Sequence, residues 1–188
     1  MTVAKQLWDQ QMTLNEYRTL PTNERLEIID GYIYDLAAPS SAHQFVSGEI
    51  FRQLANYLHG KSCHAYTAPF DVYLDEKTVV QPDITLICDP DKRKKDGCHG
   101  APDMVVEILS PSSAIHDLNI KKELYRKHGV REYWVVHPDY KLVQTFLLQN
   151  DAYISSATYV HPSKAKVNVL DDCEIDLESV FAFEEEDE

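Results

Sequence analysis

Two acids and a lysine stand out from the pattern around them. Asp83 sits in Gln81-Pro82-Asp83-Ile84, within a strand-like run, and Glu107 interrupts the otherwise apolar Met104 to Leu109. Lys121 falls in a helical stretch, roughly Asp117 to His128, on the face shared with Leu124, Tyr125 and His128. A carboxylate in an apolar strand is unfavourable unless paired, hydrogen-bonded or bound to metal, and lysine is seldom aimed at a core without a partner. Two carboxylates and a lysine on such a frame suit metal-assisted phosphodiester chemistry. Carboxylates hold a hard cation such as Mg²⁺, which polarises a phosphoryl group and acidifies a bound water. The lysine orients that water or offsets charge in the transition state.

Thr13 with Glu16 three residues on is a capping-box signature that starts a short helix, to end before Pro21. Leu26 to Leu36 reads as two strands around Asp30-Gly31, a strong hairpin dipeptide. From Ala42 to Gly60 the period is helical: Val46, Ile50, Leu54, Tyr57 and Leu58 share one arc, with His43 inside it, Glu49 at its margin and Arg52 pointing away. A lone histidine on an apolar face is usually a core residue, so spacing alone gives His43 no function. His64 to Leu74 and Thr78 to Cys88 read as two strands joined at Asp75-Glu76-Lys77. Alternation in the second puts Asp83, Thr85 and Ile87 on one face. Asp89 to Pro102, with Pro, Gly and the basic run Lys92-Arg93-Lys94-Lys95, reads as a long exposed loop. Met104 to Leu109 is a buried central strand, followed by the Lys121 helix and a strand entered at Glu132. Lys141 to Gln149 and Ala152 to Val160 are further strands, Lys166 to Leu177 adds a last one, and Glu184 to Glu188 is an acidic tail.

The whole chain bounds the answer. With 188 residues, 44% of them apolar, it can bury a real core as one domain, residues 1–183, ahead of the tail at 184–188. Neither a signal peptide nor a membrane-length apolar run is visible, so a cytoplasmic location with no membrane partner is expected. Widely spaced Cys63, Cys88, Cys98 and Cys173 lead us to expect reduced thiols, and Cys63-His64 and Cys98-His99 lack zinc-site spacing. The formal net charge of −13, from 18 basic and 31 acidic residues, speaks against a nucleic-acid partner. Its distribution softens this, because ten of the acids and no Lys or Arg lie from Asp171 onward, leaving −3 on Met1 to Leu170. Half of the basic residues lie between Lys92 and Arg131, on either a solvated or a phosphate-facing surface.

The order of these pieces resembles the core of the PD-(D/E)xK nuclease superfamily, and more closely the bacterial Uma-two family of restriction-endonuclease-like proteins. The resemblance rests on Glu27-Ile28-Ile29-Asp30-Gly31, His43, Gln81-Pro82-Asp83-Ile84, Pro102 to Ser112, Asp117 with Lys121 and Tyr125, and Gly129-Val130-Arg131-Glu132-Tyr133-Trp134, and spans about Met12 to Phe181. It implies an α/β (α+β) chain with a restriction-endonuclease-like core: a central mixed β-sheet flanked by helices, with added N- and C-terminal β-hairpins. It also implies a DNA endonuclease using Mg²⁺, or Mn²⁺, held by Asp83, Glu107 and the Ile108 carbonyl. The lysine that the superfamily places two residues after the second acid is Leu109 here, and the family's substitute falls on Lys121, whose inward phase agrees. His43 and Glu49 are the first-helix candidates to complete the site, with Glu27 behind them. The rival reading is a nucleic-acid-binding or protein-interaction domain that keeps the fold without catalysis. Exposed strand edges in the C-terminal half are compatible with a homodimer, although the sequence does not fix the oligomeric state.

Overall fold

Residues 11–19, 25–110 and 114–183 are described in a computed structural model, the side chains of 114–118 excepted. In chain order the elements are α1 (Leu14–Tyr17), β1 (Leu26–Ile29), β2 (Tyr32–Asp35), α2 (Ser41–Leu58), β3 (His64–Thr67), β4 (Val72–Asp75), β5 (Thr78–Val80), β6 (Ile84–Ile87), β7 (Arg93–Lys94), β8 (Gly97–His99), β9 (Met104–Ile108), α3 (Ala114–His128), β10 (Glu132–His137), β11 (Leu142–Gln149), β12 (Ala152–Val160), β13 (Lys164–Val167), β14 (Cys173–Asp176) and α4 (Leu177–Val180). Local chemistry explains the clearest boundaries. Thr13 and Glu16 close the capping box of α1. Asp30 and Gly31 both take positive φ, 51° and 89°, which turns β1 into β2. Ser40 caps α2 by accepting the His43 N–H.

The strands form two six-stranded sheets and a separate hairpin. One sheet runs β2-β1-β5-β4-β8-β7, the other β12-β11-β10-β9-β6-β3, and β13 pairs with β14. Both large sheets are mixed, because β4 runs parallel to β8 and β9 parallel to β10 while their other pairs are antiparallel. The second sheet is central. On one face Ile84, Leu86, Val106, Trp134 and Val136 pack with Val46, Ile50 and Leu54 of α2 and with the β13–β14 hairpin. On the other, Val105, Tyr133 and Val135 pack with Leu124 and Tyr125 of α3 and with Ile29, Val72 and Val80 of the first sheet. Among the described residues no helix is long and apolar enough to cross a membrane.

Four expectations change. Lys166 to Leu177, expected as one strand, instead spans the turn of a hairpin between β13 and β14. The two long strands of residues 64–88 are each broken in the middle, so that β4 and β5 belong to one sheet and β3 and β6 to the other. Pro69 and Pro82, lacking an amide hydrogen, sit in the two breaks. Residues 89–102 are not one exposed loop: a 3₁₀ turn, Pro90–Lys92, leads into β7 and β8, and Cys98 of β8 is buried beside Val72 of β4. Cys63 and Cys88 are joined in a disulfide rather than reduced. The register explains it, since His64 pairs with Ile87 and the next residues outward are therefore opposite each other. That bond withdraws the thiol argument for a reducing compartment. The acidic tail, residues 184–188, and the side chain of Asp117 lie outside the described residues.

Candidate active site

Glu107 is the penultimate residue of β9 and shares a face of the central sheet with Val105, so it points toward α3. On α3, Lys121 and Tyr125 are one turn apart and both reach it. Lys121 Nζ lies 3.1 Å from Glu107 Oε1, and the Tyr125 hydroxyl donates to the same oxygen at 2.6 Å. Lys121 Nζ also lies 3.0 Å from Glu27 Oε1, from β1 of the other sheet. The inward phase of Lys121 thus has a physical cause: its ammonium bridges two acids on two sheets. Glu27 is 1% exposed and also accepts the Gln81 backbone N–H at 2.9 Å.

Asp83 arrives differently from the way alternation predicts. It precedes β6 rather than lying within it, and its Oδ2 accepts the Ile108 N–H at 2.8 Å. His43, in the first turn of α2, brings Nε2 to 3.2 Å from the same oxygen. A pocket of about 160 Å³ is lined by Glu27, His43, Asp83, Glu107, Ile108 and Lys121, and also by Arg25, Gln81 and Tyr133. Glu49 does not join them. It pairs with Arg52 one turn along α2, Oε2 to Nη2 at 2.7 Å, and that hydrogen bond lowers its pKa. The physical reason is helix phase: six residues past His43, Glu49 has turned away from the pocket.

Electrostatics dominate this site. Burial, with the charges of Asp83 and Glu27, pushes Glu107 up to about 7 against the lowering influence of Lys121 and the Tyr125 hydrogen bond. Burial disfavours the Lys121 ammonium, but Glu107 and Glu27 outweigh it and hold its pKa above the ordinary lysine value. Burial likewise disfavours charged His43, yet the hydrogen bond and charge of Asp83, helped by Glu107, raise it. Three carboxylates therefore surround the Lys121 ammonium, and even with Arg25 at the pocket wall acids outnumber permanent cations.

The donor set decides what cation fits. Among the described residues no three His, Cys, Asp or Glu side chains form a ready metal cage. Protein contacts use Asp83 Oδ2 and Glu107 Oε1, leaving Asp83 Oδ1 and Glu107 Oε2 without a hydrogen-bond partner among the described residues. Two carboxylate oxygens and a strand-end carbonyl match Mg²⁺, which keeps several waters and takes one or two carboxylates. The residues present fit that ion. Sequence reasoning ranked Glu27 too low, although an acid in the apolar run Leu26 to Ile29 is the same signal that marked Glu107.

Known proteins place the chain. Over 131 residues it is 29% identical to the uncharacterized protein slr1290 of Synechocystis sp., a match covering 69% of this chain and 66%, just under two thirds, of that protein. Its structure superposes on the crystal structure of a putative nuclease belonging to DUF820 from Anabaena variabilis with a TM-score of 0.75, at 21% identity, covering 91% of this chain and 98% of the other. That likeness shows the fold, the restriction-endonuclease-like architecture expected from the sequence. The family model named Uma2, described as "Putative restriction endonuclease", matches residues 14–178, and the chain belongs to that family.

Proposed function

We propose that the pocket is the active site of a metal-dependent endonuclease that hydrolyses DNA phosphodiester bonds with Mg²⁺, or with Mn²⁺ in its place. The observation that carries this is the excess of acid: Glu27, Asp35, Asp83 and Glu107 line one pocket with only Lys121 and Arg25 as permanent cations among the described residues, and Glu107 rises to about 7. Asp83, Glu107 and the Ile108 carbonyl are the groups to hold the ion. The ion would supply a polarised phosphoryl oxygen and an acidified water. Lys121, held positive by its two acids, acts as a cation and hydrogen-bond donor rather than as a base, steadying charge as it builds on the phosphoryl oxygens. His43 fixes the orientation of Asp83 through Nε2, and Tyr125 fixes that of Glu107. Both are positioning residues.

The test is cleavage of a plasmid and of a linear duplex by purified protein with Mg²⁺ or Mn²⁺. Asp83→Asn and Lys121→Met are expected to lower the rate by at least about 100-fold, with folding checked by circular dichroism. Rates unchanged in both variants would reject the assignment. The net charge of −13 favours the rival reading, a non-catalytic binding domain. Metal titration separates the two, because that domain would show no saturable Mn²⁺ binding that depends on Asp83 and Glu107.

A further inference from the structure

Charge is only half of what the pocket displays. Buried polar atoms are normally hydrogen-bonded, and each exception calls for an explanation. Among the described residues the buried side-chain atoms without a partner are Arg25 Nε, Gln81 Oε1, Thr85 Oγ1, Tyr133 Oη and Ser163 Oγ. Three of these residues, Arg25, Gln81 and Tyr133, line the pocket of Asp83 and Glu107.

Tyr133 is the clearest case. It is 0% exposed, on β10 beside β9, and its register opposite Val105 sets it on the same face of the sheet as Glu107. Its ring is held in an aromatic cluster, with centroids 5.3 Å from Tyr125, 6.1 Å from Phe146 and 6.0 Å from Tyr153. A phenylalanine would fill that cluster equally well, so the hydroxyl is a buried polar group that packing does not require. Burial and the charge of Glu107 hold it well above the ordinary tyrosine pKa, so it remains a donor. Arg25 has donors only. The pocket's other permanent cation, Lys121, is already engaged by Glu27 and Glu107. Gln81 differs: its amide nitrogen donates to Asp71 Oδ1 at 2.9 Å, which leaves it an acceptor, suited to water rather than to an anion.

Two buried donor atoms without a partner among the described residues, Tyr133 Oη and Arg25 Nε, beside carboxylates that attract a metal ion call for a ligand rich in anionic acceptor oxygens. We propose that Tyr133 Oη and the Arg25 guanidinium donate hydrogen bonds to the non-bridging oxygens of the phosphodiester seated against Asp83 and Glu107. This rests on the hydrolase reading above and adds two substrate-binding residues to it.

Tyr133→Phe and Arg25→Gln, made in the full chain, are compared with the wild type by thermal unfolding and by binding of a labelled DNA duplex with Ca²⁺ as the divalent ion. Because the hydroxyl has no partner among the described residues, Tyr133→Phe unfolds at the same or a higher temperature. Each variant binds the duplex about tenfold more weakly, the size expected for losing a hydrogen bond to a charged group, and Arg25→Lys recovers part of that loss. A fall of several degrees in the unfolding temperature of Tyr133→Phe would mean a structural hydroxyl and overturn the proposal. So would duplex binding within twofold of wild type by either variant. Cleavage assays separate the two failures. Asp83-dependent cleavage together with unchanged binding by Tyr133→Phe removes these donors and leaves the hydrolase reading intact. Weakened binding together with cleavage indifferent to Asp83 does the reverse.

Discussion

At the scale of single residues, Glu107 carries the site's tension. The residue is 8% exposed, its carboxylate shares its surroundings with Asp83 and Glu27, and its pKa is raised from 4.5 to about 7. A carboxyl whose folded pKa lies above its unfolded one binds its proton more tightly when folded. Stability then falls as the pH rises through that window, from about 4.5 to about 7. We expect the metal-free protein to lose on the order of 1–3 kcal/mol across it. Glu107→Gln keeps an oxygen for the Lys121 and Tyr125 hydrogen bonds while removing the charge. It should flatten that pH dependence, raise the melting temperature at pH 8 and abolish cleavage. Calorimetric melts of both proteins at pH 5 and pH 8 make the comparison. A variant that is less stable than wild type at pH 8 would contradict it.

Among the elements, α2 holds His43 through its first turn alone. Ser40 accepts the His43 backbone N–H at 3.2 Å, so the residue that starts the helix also fixes the backbone from which the ring reaches Asp83. Ser40→Ala should cost about 1 kcal/mol through the lost cap, lowering the melting temperature by about 2–4 °C. Cleavage should fall severalfold although no pocket charge has changed, and Ser40→Asp, another good cap, should restore it. Full cleavage by Ser40→Ala would show that the ring does not need the cap. The same scale shows what was legible in the sequence. Period and turn chemistry located β1, β2, α2, β9, α3, β10, β11 and β12, because each is long or bounded by a sharp signal such as Asp30-Gly31. Asp83 was found for a reason the structure corrects, since proline breaks the run and a backbone N–H on β9, not strand alternation, sets the carboxylate. Glu49 lies outside the pocket because six residues carry it round α2 from His43 to Arg52, a turn that placing it at the margin of the apolar arc does not resolve. The Cys63–Cys88 bond was illegible because strand register across a sheet edge is a long-range fact. The donor role of Tyr133 was hidden for the same kind of reason: an aromatic in an apolar strand reads as core, and only the surroundings of its hydroxyl show that it is unpaired.

For the molecule as a whole, the proposed function asks a chain of net charge −13 to meet a polyanion. The fold concentrates acid where a cation can offset it: Asp83 and Glu107 lie on the central sheet's side of the pocket, while Glu27 comes from the other sheet across it. Glu184 to Glu188 contribute five negative charges, and a chain ending at Phe183 would carry −8 instead of −13. Charges of this kind act over a Debye length of about 8–10 Å near physiological salt and about 3 Å at 1 M. They therefore alter encounter with DNA rather than chemistry in a buried pocket. The shortened chain should associate with duplex DNA severalfold faster than the full chain at low salt, with single-turnover cleavage of bound DNA unchanged. The advantage should vanish as salt approaches 1 M. Stopped-flow association measured across a salt series tests this. An association gain that survives high salt would mean that the tail obstructs the pocket sterically, and a changed single-turnover rate would mean that it reaches the site itself.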